Sequence, residues 1–423
     1  MATQAADLHP MVLAMFDPSN RADPYRVYRQ IREMGPVTAG IPGLVVFARH
    51  ADCSAILTDP RAGADRTKSI LFAALAASGR LTKEDQEVID RRPFLLRDPP
   101  DHTRLRRLVS KAFTPRVVEG LRMRIRQLVD EALDAVANRG RIDVVSEFAY
   151  PVPVAVISEL LGVPTEDHET FQGWSRDLTR LLDPDIRLLE APDDEERRRR
   201  AGTMALFREY FLDLIERRRS RPGHDLLSQL VAAEEEGDQL TEEELVATCV
   251  LLLVAGHETT VNVIANGILA LLMNPEQRDL LRERPELARG AVEEALRFDP
   301  PVQVTGRIAL EPLDIGGAPI PQGGIGMLLL AAANRDPAAF PDPDPERFDI
   351  TRDAGHHLAF GMGPHFCLGA PLARLEGQIA LSAFVRRVRD PLLADEPLRY
   401  KEHFTLRGLA ELPVEFSAIG PRE

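Results

Sequence analysis

Cysteine is scarce: Cys53, Cys249 and Cys367 are the whole supply in 423 residues. Odd in number and far apart, they suggest no disulfide framework and point to a reducing compartment, the cytoplasm. Long apolar runs are missing as well. The longest, Leu245–Gly256, is too short to span a bilayer and runs into His257 and Glu258. Met1–Phe16 has no basic start and no long apolar core, so it reads as neither a signal peptide nor a membrane anchor. Positive charge is in deficit: the net charge of −14 argues against nucleic acid as a partner. What is present is a globular balance, 44% hydrophobic and 28% charged, with ample length for a large core. Length alone suggests two or three domains.

Against that background one cysteine stands out. Phe360–Ala370 reads Phe-Gly-Met-Gly-Pro-His-Phe-Cys-Leu-Gly-Ala. Gly361, Gly363 and Gly369 crowd Cys367 and leave room for backbone amides to turn toward the sulfur. Amides so aimed favour a thiolate, and a thiolate binds metal. Pro371 then opens an apolar-periodic run, so Cys367 sits just ahead of a helix N-terminus. By itself this also describes a small buried cysteine in a turn.

Other stretches carry chemistry. After Pro99-Pro100, His102 and Arg106 are four apart, hence on one helix face, where two cationic donors can hold carboxylates. Thr241 and Glu244 form a capping-box pattern opening a helix that continues to about Met273, about 50 Å long. Near its middle, Ala255-Gly256-His257-Glu258-Thr259-Thr260 should loosen regular helix and free carbonyls for a ligand or water. There Glu258 and Thr259 supply an acid and an alcohol able to relay protons. Glu294 and Arg297, three apart on the 285–298 helix, can pair.

The spacing predicts further helices over 23–34, 49–58, 117–137, 151–161, 167–183 and 195–219. Strands are predicted over 37–48, 143–145, 302–305, 308–318, 320–330, 398–406 and 415–418. Residues 61–92 form either a lid or pocket wall or an ordinary surface helix and loop.

The Cys367 loop resembles the heme-ligand loop of the cytochrome P-450 superfamily, where one cysteine thiolate is the proximal iron ligand. The His102/Arg106 helix, Ala255–Thr260, Glu294/Arg297 and Pro345-Glu346-Arg347-Phe348 follow that family's order. The resemblance implies one domain over 1–423, with 1–20 flexible, mainly α with a smaller β-rich region and a long central helix over heme b. It implies Cys367 as metal ligand and Phe360 and Gly361 packed about it. His102, Arg106, Arg307 and His365 become donors to the heme propionates. Glu258 and Thr259 become the proton-delivery pair, and Glu294, Arg297 and Arg347 a buried structural triad. Leu251, Val254, Ala255, Val302, Val304 and Phe404 become pocket walls, apolar and suited to a lipophilic molecule.

The implied activity is a monooxygenase that inserts one oxygen atom from O2, by hydroxylation or epoxidation, in secondary metabolism or in xenobiotic or steroid oxidation. No second cofactor motif is visible. Electrons are therefore expected from a ferredoxin and its NAD(P)H-dependent reductase, steered by the basic patch of Arg104, Arg107 and Lys111, to a monomeric enzyme. The rival readings are a hydrogen-peroxide-dependent peroxygenase and a heme-thiolate sensor or binding protein.

Overall fold

The computed structural model describes residues 8–422 apart from 80, 82–85, 87, 88, 168–173, 175–193, 236 and 237. The helix expected over 167–183 and the connector after it lie almost wholly outside those residues. In chain order the elements that matter begin with α1 (Pro10–Phe16), α2 (Tyr25–Met34), β1 (Val37–Thr38), β2 (Leu44–Phe47), α3 (His50–Thr58) and β3 (Ala62–Gly63). Then come α4 (Ile70–Ala77), α5 (Asp101–Ala112), α6 (Pro115–Gly120), α7 (Arg122–Asp134), α8 (Pro151–Leu161), α9 (Asp194–Ser220) and α10 (Leu226–Ala232). The second half holds α11 (Glu242–Met273), α12 (Pro275–Glu283), α13 (Ala288–Phe298), β4 (Val304–Ala309), β5 (Ile325–Leu329), α14 (Ala370–Arg387), β6 (Arg399–Tyr400) and β7 (Leu409–Glu411).

The expected single helix over 117–137 is two, α6 and α7, meeting at Leu121. Leu121 keeps right-handed helical dihedrals, φ −81° and ψ −12°, so the apolar spacing runs on through the junction and reads as one element. The strand expected at 143–145 ends at Asp143, and Val145–Ala149 winds into a π-helical turn. α5 starts at Asp101, directly after Pro100.

α11 is the axis of the molecule. Thr241 and Glu244 form the reciprocal capping box, and the first turn carries Glu242, Glu243 and Glu244 against the positive helix end. Every residue from Thr260 to Leu271 is buried. Gly267 lets α14 approach: a Cβ there would sit 3.1 Å from Leu381. Gly377 of α14 does the same toward Val292 of α13, again at 3.1 Å. α11, α13 and α14 thus form a close three-helix core, and each buried Val, Ile or Leu in it contributes roughly 1.5–3 kcal/mol. Among the described residues α11 alone is long and apolar enough to cross a membrane, but its burial marks it as a core helix.

The main sheet runs β1-β2-β5-β4-β3. β5 lies parallel to β2, with Ile325 opposite Leu44, and antiparallel to β4, with Leu329 opposite Val304. A second apolar cluster fills the space between this sheet and α1 and α2.

Candidate functional site: the cysteine loop and its cationic rim

The Cys367 loop is held by its own backbone. The Cys367 amide donates to Phe360 O at 2.9 Å and the Phe366 amide to Gly363 O at 3.0 Å. Gly361 and Gly363 have φ of +67° and +68°, which a side chain would strain. A Cβ on Gly363 would also lie 2.5 Å from Leu57 O at the end of α3. Gly369 needs no such freedom; its amide and that of Ala370 are the ones that bond the sulfur. Burial pushes the Cys367 thiol up, and it outweighs those amides and the charge of Arg106, which pull it down. Burial thus works against the thiolate that the glycine pattern suggested, and a cation on the sulfur would favour it.

Beside the loop the structure gathers the donors that α5, β4 and the loop were expected to contribute. His102 is 2% exposed, and neither ring nitrogen has a hydrogen-bond partner. Its ring stacks on His365 at 3.9 Å. Arg106 is half-buried and donates to Phe366 O at 2.5 Å. Arg307 is buried and donates to Gly306 O at 2.9 Å. Among the described residues, neither Arg106 nor Arg307 has a carboxylate partner within salt-bridge distance. Burial lowers Arg307 to about 10, and Asp98 pulls it back only in part. Burial and then the charges of Arg307 and His102 push His365 down to about 3. Burial and the Arg106 charge lower His102. Uncompensated buried cations and orphaned ring nitrogens are costly, so this rim is built for an anion. The residues present fit the two carboxylates of a heme lying on the Cys367 loop. Arg374 of α14 stacks over Phe360 at 4.6 Å and donates to Glu293 at 2.6 Å, pinning the loop's first residue to α13. Glu293 and Arg374 escaped the sequence reading; an acid beside the Glu-x-x-Arg pair and an arginine in α14 were the only signals.

On the other side, α11 presents Ala247, Leu251, Ala255 and Thr259, four apart, as a half-buried stripe along one face. Val254 is off this stripe and packed in the core, so it is no pocket wall. Val304 is 1% exposed among Val12, Tyr28 and Leu329, beneath α1 and α2, and is likewise withdrawn from the pocket. Phe404 leans on the same cluster with its ring 4.3 Å from Phe16. Val302 is half-buried and bridged to Leu406.

The expected loosening of α11 does not occur. The helix is continuous, and the Thr259 and Thr260 hydroxyls donate to Ala255 O at 2.7 Å and Gly256 O at 2.9 Å. Gly256 serves packing instead, with room for Ile157 of α8. The Glu258 and Thr259 side chains have different hydrogen-bond partners. The Glu258 carboxylate accepts from Lys401 Nζ at 2.6 Å. Burial pushes that carboxyl up, but Lys401, with smaller contributions from His257 and His403, leaves it below the ordinary glutamate value.

The structural triad needs one correction. Arg297 is fully buried and donates to both Glu294 oxygens at 2.7 Å. The second guanidinium on Glu294 belongs to Arg352, at 3.4 Å, not to Arg347. Arg347 points its exposed side chain away and offers its carbonyl, which accepts from Arg297 at 3.2 Å and Arg352 at 3.1 Å. The Asp349 amide, at 2.9 Å, completes the cage around Glu294.

A glycine-lined cysteine loop just ahead of a helix N-terminus, with basic side chains gathered beside it, has the chemistry of a heme-thiolate site. The family model "Cytochrome P450" matches residues 67–403. The chain is 43% identical to "Cytochrome P450 107B1" of Saccharopolyspora erythraea, over 95% of this chain and 97% of that one. It is 43% identical to "Vitamin D(3) 25-hydroxylase" of Pseudonocardia autotrophica, over 95% and 94%. Among solved structures, ligand-free CYP164A2 of Mycobacterium smegmatis superposes with a TM-score of 0.87 at 46% identity, covering 96% of this chain and 99% of that one. The chain belongs to the cytochrome P450 family. It is a monooxygenase of the bacterial type and binds heme b.

Proposed function

We propose that Cys367 is the proximal ligand of heme b and that His102, Arg106, Arg307 and His365 hold its propionates. When bound, heme b supplies reductive activation of O2, aided by electron donation from a thiolate. The observation that carries this is the rim itself: four basic groups gathered beside Cys367, with the His102 ring buried and unsatisfied. Charge-assisted bonds to two carboxylates would satisfy all four.

On the distal side the half-buried stripe of Leu251 and Ala255, with Val302, offers apolar contact to a lipophilic small molecule. Thr259 keeps its hydroxyl at that surface, anchored to Ala255 O, and orients a proton donor there. Glu258 is the acid that supplies the proton. The reaction assigned is hydroxylation or epoxidation of a polyketide-, terpenoid- or steroid-like compound, in secondary metabolism or in xenobiotic or steroid oxidation. The vitamin D(3) named for one relative is consistent with that range. Electrons come from a ferredoxin and its NAD(P)H-dependent reductase, to a monomeric enzyme in the cytoplasm. A spectral titration of the heme-loaded enzyme against a natural-product library tests this: a bound substrate shifts the spin state. A library of lipophilic compounds that leaves the spectrum unchanged, while small polar ones shift it, would contradict the substrate class.

A further inference from the structure

The acid of the relay is aimed away from its alcohol, and the residue that aims it lies 143 positions further on. Lys401 follows β6 and donates to Glu258 Oε1 at 2.6 Å and to Asn262 Oδ1 at 3.3 Å. Glu258 and Asn262 are successive positions on one face of α11. The Lys401 side chain is 22% exposed and that of Glu258 7%, so the pair reaches from a buried carboxylate toward solvent. The Lys401 amide donates to Gly408 O at 2.9 Å, closing the 401–408 loop. Gly408 presses on Asn262: a Cβ there would stand 2.0 Å from Asn262 Oδ1. No side chain fits at 408 while the loop clasps α11.

The same loop is fastened to the pocket wall. Gln303 donates to Thr405 O at 2.8 Å, Arg407 to Pro301 O at 2.7 Å, and Val302 bridges Leu406. One short segment thus ties residues 301–303, where Val302 is the proposed pocket wall, to the buried acid. The other ionisable groups around Glu258 are His257 on α11 itself and His403 in the loop. His257 is buried, with Nδ1 2.6 Å from Leu253 O. On the α14 side Glu376 meets Thr260, not Glu258. Lys401 is therefore the group whose charge offsets burial of this carboxylate.

We propose that Lys401 is the positioning residue for Glu258: it holds the carboxylate ionised against the C-terminal loop, and displacement of that loop by substrate releases the acid toward Thr259. When the pair opens, Glu258 takes a proton from solvent and gives it up at the groove. One proton is moved, no electron is moved, and both residues end in their starting charge states. The proposal rests on Glu258 being the proton donor assigned above.

The test uses the heme-loaded enzyme and the variants Lys401→Gln, Lys401→Arg and Glu258→Gln. Infrared difference spectra against Glu258→Gln report whether Glu258 is protonated. The expected result is a carboxylic acid C=O band at neutral pH in Lys401→Gln, absent from the wild type and from Lys401→Arg. The pH profile of product formed per NADH consumed should shift by about one unit or more in Lys401→Gln and be restored by arginine. An impaired Glu258→Gln enzyme beside a Lys401→Gln enzyme with no new band and an unchanged profile overturns the proposal alone. A Glu258→Gln enzyme that couples as well as the wild type overturns the relay assignment and the proposal with it.

Discussion

The ring of His102 lies against that of His365 with centroids 3.9 Å apart, beside Arg106 and Arg307, neither of which has a carboxylate within salt-bridge distance among the described residues. The two rings come from opposite halves of the chain, α5 and the Cys367 loop. Their stacking brings two ring donors to the same edge, with Arg106 and Arg307 beside them. In the free chain the arrangement is costly; around a dianion it is favourable. This opposition of sign leads to the first prediction.

Arg307→Met should weaken heme retention and stabilise the heme-free chain. A charge-assisted bond contributes about 1.5–3 kcal/mol, so heme should leave about 10- to 150-fold more readily. Without heme, removing a buried unpaired charge is neutral or stabilising by about 1–4 kcal/mol. Heme transfer to apomyoglobin and thermal melts of both forms measure the two effects. A variant destabilised equally in both forms would contradict the anion-cradle reading.

Arg352 and Arg347 should part company. Arg352→Ala removes a guanidinium from a buried carboxylate and should cost about 3–5 kcal/mol. Arg347→Ala leaves the backbone carbonyl in place and should stay within about 0.5 kcal/mol of the wild type. Denaturant unfolding of both variants decides it.

Two buried glutamates should bend the stability–pH curve in opposite directions. Burial pushes Glu376 up to about 8, and its contact with the Thr260 hydroxyl offsets this only in part. Between about 4.3 and 8 the folded chain then holds a proton that the unfolded chain has lost, so stability falls as pH rises. Glu376→Gln should flatten that fall. Glu293 is held down at about 2: burial would raise it, but His357 and Arg374 prevail. Its contribution is fully present above the ordinary glutamate value and is lost as pH falls toward 2. Glu293→Gln should remove that acid-side loss. Melts from pH 2 to 9 check both signs.

Thr259→Ala should divert reducing equivalents into hydrogen peroxide, because the hydroxyl now fixed on Ala255 O would no longer orient a proton donor. The ratio of product to NADH consumed is the measurement. A ratio equal to that of the wild type would remove Thr259 from the relay.

The features legible in the sequence are those set by near neighbours. The capping box at Thr241 and Glu244 depends on three residues of spacing, and the Cys367 loop on glycines within a few positions of the thiol. Features that depend on distant pairing were not legible. Arg347 and Arg352 both follow the same proline-rich meander, and only the path of the chain decides which guanidinium turns inward. Val304 falls on the core side because β4 pairs with β5 in a register that sequence does not state. Lys401 reaches Glu258 through a loop whose docking depends on Gly408 having no side chain, 146 residues after Asn262.

The central claim is one bond, from Cys367 sulfur to heme iron, and its spectrum tests it most directly. The reduced, CO-treated protein should show the red-shifted Soret band of thiolate-ligated heme, and Cys367→Ser should lose it. A reduced CO spectrum of the neutral-histidine type in the unaltered protein would contradict the assignment.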